Sequence, residues 1–198
     1  MQVKRRGSWV AALAGMLMLT ACYPLSLQPL FTEGDVTVDA ALAGIWQKGG
    51  DEEQWVIEAP QGGAYKATHR VGDESESLVI RAGRLGPATL LEMRGEKNPD
   101  DSQAVPAYSF WRFRREGDQL EVMPLKPEYF EALIKAGKLN IAQVVRGELV
   151  VFTGTTAEVR AWLLPRLADR EMYQDTERFR RVRVEQRDGM RGPGDGNR

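Results

Sequence analysis

The only cysteine of this 198-residue chain is the residue best placed for covalent chemistry. Cys22 follows Leu19-Thr20-Ala21 at the end of an apolar run that begins at Trp9. Lys4-Arg5-Arg6 give the chain a positive start. A basic start with a short apolar run predicts a cleaved signal peptide, because a membrane-spanning helix needs about 20 apolar residues. Cys22 then offers a thiol nucleophile at the point of cleavage.

The segment Leu19-Thr20-Ala21-Cys22 resembles the lipobox of bacterial lipoproteins. The resemblance implies cleavage between Ala21 and Cys22, a diacylglyceryl group on the Cys22 thiol and a fatty acid such as palmitate on the new N-terminus. More than one acyl chain makes membrane attachment stable. Tyr23 follows the cysteine directly. In enterobacterial lipoproteins an Asp at this position signals retention in the inner membrane, so Tyr23 resembles the default pattern that leads to the outer membrane. We therefore expect a lipid-anchored envelope protein in the outer membrane, facing the periplasm. A plain secretory peptide with an incidental cysteine is the alternative.

Composition sets further bounds on the mature chain. Removal of residues 1–21 leaves 24 of the 27 basic residues and all 28 acidic residues, a net charge of −4. A weakly acidic chain has no long-range attraction for nucleic acid. With Cys22 acylated no cysteine remains for a disulfide, so packing must stabilise the fold. The predicted organisation is a signal peptide over 1–21, a lipidated N-terminus and tether over 22–38, a single β-rich domain over 39–184 and a disordered tail over 185–198.

The spacing of the other reactive side chains does not match a known catalytic motif. His69 is the only histidine, and it is predicted to be a half-exposed strand residue rather than part of a triad or metal site. Asp51-Glu52-Glu53 and Asp100-Asp101 could supply paired carboxylates for glycoside hydrolysis, although neighbouring acids in turns usually face water. We expect no catalytic residues, no metal and no cofactor. A carboxylate-dependent hydrolase acting on envelope polymers is the alternative.

Aromatic side chains on predicted strands are the candidate ligand-binding residues. In a barrel they could line a cavity for an apolar ligand, and core packing would explain them equally well. They are Trp46, Trp55, Tyr65, Tyr108, Phe110 and Trp111. The expected function is a non-enzymatic ligand-binding or protein-interaction module. Its expected partners are the membrane, through the N-terminal lipid, and an apolar small molecule or an envelope protein.

Short alternating segments between turn residues predict an antiparallel sheet. Residues 64–71 should place Tyr65, Ala67 and His69 on one face, and residues 107–114, apolar on both faces, should lie centrally. The other predicted strands are 45–48, 53–58, 77–84, 88–94, 119–125, a hairpin of 143–146 with 148–153, and 179–184. Helices are predicted at 127–136 and from Thr155, the second interrupted at Pro165. The fold class is mainly β (α+β), a curled sheet or small barrel of seven to eight strands with two late helices.

Gly44-Ile45-Trp46 resembles the Gly-x-Trp of lipocalin-like barrels, in which the Trp closes the barrel floor. The resemblance implies that an arginine late in the chain, Arg180 or Arg181, contacts Trp46. The chain departs from true lipocalins in its helix at 127–136 and its lack of disulfides. Its layout is also similar to small bacterial lipoproteins with lipocalin-like barrels, a likeness that implies a fold and no activity.

Overall fold

A computed structural model gives the arrangement of residues 24–50, 53–96, 105–147 and 149–182. The signal peptide, the expected cleavage site at Ala21 and Cys22 and the expected tail at 185–198 lie outside these ranges. In the ranges described, no helix has both the length and the apolar character needed to cross a bilayer.

The described residues form a closed eight-stranded barrel, a small second sheet and two helices. Their bounds in chain order are β1 Leu25–Ser26, β2 Gly44–Lys48, β3 Glu53–Ile57, β4 Tyr65–Val71, β5 Glu74–Leu85, β6 Ala88–Gly95, β7 Ser109–Glu116, β8 Gln119–Pro124, α1 Pro127–Lys135, β9 Gln143–Arg146, β10 Leu149–Phe152, α2 Thr156–Leu163 and β11 Glu177–Arg181. The barrel runs β11-β2-β3-β4-β5-β6-β7-β8 and is antiparallel throughout. This confirms the predicted mainly β, lipocalin-like barrel with two late helices.

The barrel interior is a core of side chains that alternate along each strand. On β4, Tyr65 and Ala67 are buried and His69 points the same way, as predicted, while Lys66 faces out. Alternation follows from the pleat of the strand, which sends successive side chains to opposite faces. The buried interior residues are Leu42, Trp46, Trp55, Ile57, Tyr65, Ala67, Leu78, Ile80, Ala82, Leu91, Met93, Phe113, Leu120, Val122 and Phe179.

A second core covers the outside of the barrel. Strand β7 serves both cores, because Phe113 points inward while Phe110 points outward against the helices. This agrees with the predicted central position of the strand. Phe130 of α1 and Trp162 of α2 pack together in the outer core, with ring centroids 5.7 Å apart. The hairpin of β9 and β10 is not part of the barrel but pairs with β1 in a separate three-stranded sheet.

The helices begin and end where the sequence provides the appropriate caps. Pro127 occupies the first turn of α1, where its missing N–H costs no hydrogen bond. Thr155 and Glu158 form a capping box at the start of α2. The α-helix gives way to a single 3-10 turn over Leu164–Arg166, because Pro165 cannot donate to the preceding turn.

The N-terminal segment from residue 24 packs against the barrel. Leu30 and Phe31 are fully buried in the outer core. Glu92 of β6 is only 2% exposed, and its carboxylate accepts hydrogen bonds from the backbone N–H groups of both residues and from Arg81. Gly83 leaves room for this contact, since a Cβ there would lie 2.7 Å from the Phe31 ring. The packed unit therefore starts before residue 39, the expected domain boundary.

Candidate functional site

The floor of the barrel, formed by Leu42, Trp46 and Arg181, closes one end. Trp46 is completely buried, and its Nε1 donates to the Leu42 carbonyl at 2.8 Å. The Arg181 guanidinium lies 4.4 Å from the Trp46 ring centroid and donates to the backbone carbonyls of Ala41 and Ala43. Of the two arginines expected against Trp46, the structure places Arg181 there, while Arg180 is exposed on the outer face.

The glycine of the Gly-x-Trp segment is required by this arrangement. Gly44 has a φ of +142°, which side chains with a Cβ rarely adopt. A Cβ at this position would also overlap the Arg181 guanidinium. Gly44 therefore leaves room for Arg181 to reach Trp46, which explains why a glycine stands two residues before the tryptophan.

A polar layer covers the floor. The Tyr65 hydroxyl accepts from the Asp39 backbone N–H at 2.8 Å, and Arg115 donates to the Asp39 carboxylate at 2.8 Å. The hydrogen bond from Arg115 lowers the pKa of Asp39. Burial raises the pKa of Tyr65. Near neutral pH Asp39 is therefore ionised and the Tyr65 hydroxyl is neutral, so the charges at this end of the barrel do not change.

The polar end of the barrel, formed by Lys48, Glu53, His69 and Glu177, carries titratable groups. Lys48 Nζ lies 2.7 Å from a Glu53 oxygen and 3.1 Å from a Glu177 oxygen, although 129 residues separate Lys48 from Glu177. The other Glu53 oxygen lies 3.1 Å from His69 Nε2. The inward faces of three adjacent strands, β11, β2 and β3, thus bring two carboxylates to one ammonium group, and β4 adds the imidazole.

Aromatic rings support the polar end from inside the barrel. The His69 ring stacks on Trp55 with centroids 4.2 Å apart, and Trp111 meets Trp55 edge-on at 6.0 Å. The His69 side chain is only 19% exposed, less than the half-exposed position expected from the sequence. A cavity of about 220 Å³ adjoins it, bordered by His69, Val71, Glu74, Ser75 and Glu76.

The hydrogen bonds at the polar end set its charge states. The hydrogen bond from His69 and then that from Lys48 lower the pKa of Glu53, outweighing burial. Burial alone would lower the pKa of Lys48, but its bonds to Glu53 and Glu177 raise it. The end therefore holds an ionised carboxylate beside a charged ammonium group. With Glu74 and Glu76 nearby, acidic groups outnumber basic ones there.

The polar end presents Glu53 as an ionised carboxylate rather than as a carboxyl held in its protonated form. A general acid needs a carboxyl whose pKa is raised, whereas that of Glu53 is lowered. In the described ranges, no three His, Cys, Asp or Glu side chains are grouped so as to hold a metal ion. Of the carboxylates singled out in the sequence, Glu53 belongs to the site. Asp51, Glu52, Asp100 and Asp101 lie outside the described residues.

A second candidate surface lies outside the barrel, in a cleft beside α2 of about 550 Å³. It is lined by Leu139, Asn140, Ile141, Ala142, Glu158, Ala161, Trp162 and Arg166, here called the α2 cleft. The Arg166 guanidinium stacks 4.3 Å from the Trp162 ring centroid. Trp162 is 5% exposed, and its buried Nε1 has no hydrogen-bond partner. The cleft therefore combines an apolar wall with one cationic group, Arg166, and one carboxylate, Glu158.

The six aromatic candidates do not form one surface. Trp46, Trp55, Tyr65 and Trp111 belong to the interior core, whereas Phe110 and Tyr108 belong to the outer core. The interior members pack against each other and against aliphatic side chains. The Lys48–Glu53 pair was missed although the two residues lie only five positions apart, at the facing ends of β2 and β3, where opposite charges were a usable local signal. Glu177 gives no such signal, because it reaches Lys48 only through the closure of the barrel by β11.

Comparison with protein-family models, with curated proteins and with solved structures finds no match to this chain.

Proposed function

We propose that the protein is a lipid-anchored protein of the cell envelope, in the outer membrane facing the periplasm, that acts as a non-enzymatic binding or protein-interaction module. The observation that carries the anchoring is the segment Leu19 to Cys22, with the only cysteine of the chain at its end. A thioether-linked diacylglyceryl group together with an N-terminal acyl chain gives attachment that does not readily reverse.

Labelled palmitate tests the anchor directly. The full-length chain should incorporate the label and sediment with the envelope fraction. The variant Cys22→Ala should lose both the label and the membrane association, because no other thiol is present. Equal labelling of both proteins, or an unlabelled protein with its leader intact in the cytosol, would contradict the proposal.

The binding role is supported by where the exposed features lie. Because the six aromatic candidates are packed in the two cores, the proposed contact with an apolar small molecule or an envelope protein lies on the outer surface. The α2 cleft offers an apolar wall with the Arg166 cation and the Glu158 carboxylate at its margin, which suits a ligand or peptide with both apolar and charged groups.

Two matched alanines allow the cleft to be tested. Ala161 is exposed and lines the cleft, whereas Ala132 is exposed on α1 and does not. Detergent-solubilised lipidated protein is incubated with membrane extract, and retained lipids and proteins are identified by mass spectrometry. A partner retained by the native protein and by Ala132→Arg but lost with Ala161→Arg supports the proposal. Absence of any retained partner contradicts it.

A carboxylate-dependent hydrolase acting on envelope polymers is the second candidate. The convergence of Glu53 and Glu177 on Lys48 is the observation that favours it. The lowered pKa of Glu53 suits the base or nucleophile of such a pair rather than its acid. Release of soluble fragments from purified envelope polymers by the native protein but not by Glu53→Gln would establish this activity.

A further inference from the structure

The three-stranded sheet beside the barrel has one buried face and one outward face. Ser26 and Phe152 are paired and lie on the buried face. Their chain neighbours Leu25 and Val151 are also paired, and Val151 in turn pairs with Val144 of β9. Because side chains alternate along a strand, Leu25, Val151 and Val144 form one row on the outward face.

This outward row is apolar and accessible. Val144 is 57% exposed, and Leu25 and Val151 are partly exposed. The next pair on the same face joins partly exposed Leu149 to the exposed Arg146. The face therefore presents aliphatic side chains across three strands with a cation at one edge.

The position of this face along the chain links it to the expected lipid. Pro24 is buried and Leu25 is already in the sheet, so packed residues lie only two and three positions after Cys22. Three residue steps span at most about 11 Å, so the Cα of Cys22 lies within that distance of Leu25. Strand β1 is parallel to β10, so its N-terminal direction points towards the Leu149 end of β10.

We infer that the outward face of the β1-β10-β9 sheet, with the row Leu25, Val151 and Val144, lies against the surface of the lipid bilayer. The inference rests on the proposed acylation of Cys22. An anchor this close to a packed residue cannot let the domain turn freely, so the face around β1 is held at the membrane. Aliphatic side chains then contact the acyl boundary, and Arg146 meets the lipid phosphates.

Site-specific probes on the anchored protein test this orientation. The full-length chain is expressed, processed and reconstituted in vesicles of phosphatidylethanolamine and phosphatidylglycerol. Variants Val144→Cys and Val38→Cys each provide the single free thiol for a fluorescent maleimide, since Cys22 is blocked by lipid. Val38 is the matched control, because it is 55% exposed and lies next to Asp39 at the floor. Nitroxide-labelled phospholipids serve as the quencher.

We expect the probe at position 144 to be quenched at least about twofold more than the probe at position 38, as for a group at the headgroup–acyl boundary. Equal quenching, or stronger quenching at position 38, would overturn the inference. Palmitate labelling of the same samples separates the two proposals. An unlabelled protein that does not reconstitute refutes the anchor, whereas a labelled protein with equal quenching refutes only the orientation. Unchanged urea unfolding midpoints for both variants would show that the fold is retained.

Discussion

At the floor of the barrel Arg181 stacks on Trp46 and donates to backbone carbonyls, whereas at the polar end Lys48 is shared by two carboxylates. The Trp46 ring is completely buried, and neither it nor the backbone carbonyls titrate; the half-exposed Asp118 carboxylate, 3.6 Å from Arg181 Nε, adds an ion pair at the edge of the floor. The partners at the polar end titrate and are partly exposed. The same barrel thus has one end held mainly by groups that do not titrate and one end whose ion pairs depend on pH.

Trp46→Ala should have the largest effect, because it removes a fully buried ring and its hydrogen bond to Leu42. The expected loss is about 3–5 kcal/mol of unfolding free energy, the usual cost of a large cavity. Urea denaturation followed by far-ultraviolet circular dichroism measures it. Val38→Ala, at an exposed position beside the floor, should cost about 0.5 kcal/mol or less. Similar losses in both variants would show that Trp46 does not hold the floor closed.

Arg181→Met should have the next largest effect. The variant loses two charge-assisted hydrogen bonds and the contact with Trp46, an expected cost of about 2 kcal/mol. Arg181→Lys retains the charge over the ring but lacks the planar fork, so it should lose about 1 kcal/mol. Urea midpoints measured from pH 5 to pH 8 should show a constant difference from the native protein, since guanidinium does not titrate there.

Arg180→Met is the matched control for this comparison. Arg180 is adjacent in the chain but exposed on the opposite face of β11, so its removal should change the midpoint little. If Arg180→Met destabilised the protein as much as Arg181→Met, the effect would reflect lost charge on β11 rather than the contact with Trp46.

The contrast between the two ends also explains what the sequence could predict. The floor is encoded locally, since Gly44 and Trp46 are two residues apart and a late arginine completes the arrangement. The strands were predictable because alternation is a local pattern. The polar end is encoded locally only in part, because Lys48 and Glu53 meet across the β2–β3 hairpin whereas Glu177 joins them only when β11 closes the barrel.

The partners of the N-terminal segment were difficult to predict for a related reason. In the sequence Glu92 occupies an ordinary polar position on an alternating strand. The segment around Leu30 then covers it, and backbone N–H groups together with Arg81 satisfy its charge. Pairing of β1 with β10 likewise joins residues more than 120 positions apart. Such contacts depend on the tertiary fold, and the alternation of polar and apolar residues along the sequence does not predict them.

Glu53→Gln should have the smallest effect and the clearest dependence on pH. The hydrogen bond from His69 and then that from Lys48 hold the folded pKa of Glu53 below its unfolded value of about 4.3. Its contribution is therefore fully present above about pH 5 and is lost as the pH falls through the folded pKa. Near pH 6 the free energy of unfolding of the native protein should exceed that of Glu53→Gln by about 1 kcal/mol or less, because the site is partly exposed and screened. The difference should shrink as the pH falls below about 4.3 and through the folded pKa. Urea midpoints of both proteins from pH 7 to pH 3 measure this convergence.

Glu116→Gln, at a carboxylate that is 68% exposed beside Arg114, is the control, and its midpoint should stay close to native throughout. Parallel curves for the native protein and Glu53→Gln across the whole range would mean that the polar end is as independent of pH as the floor.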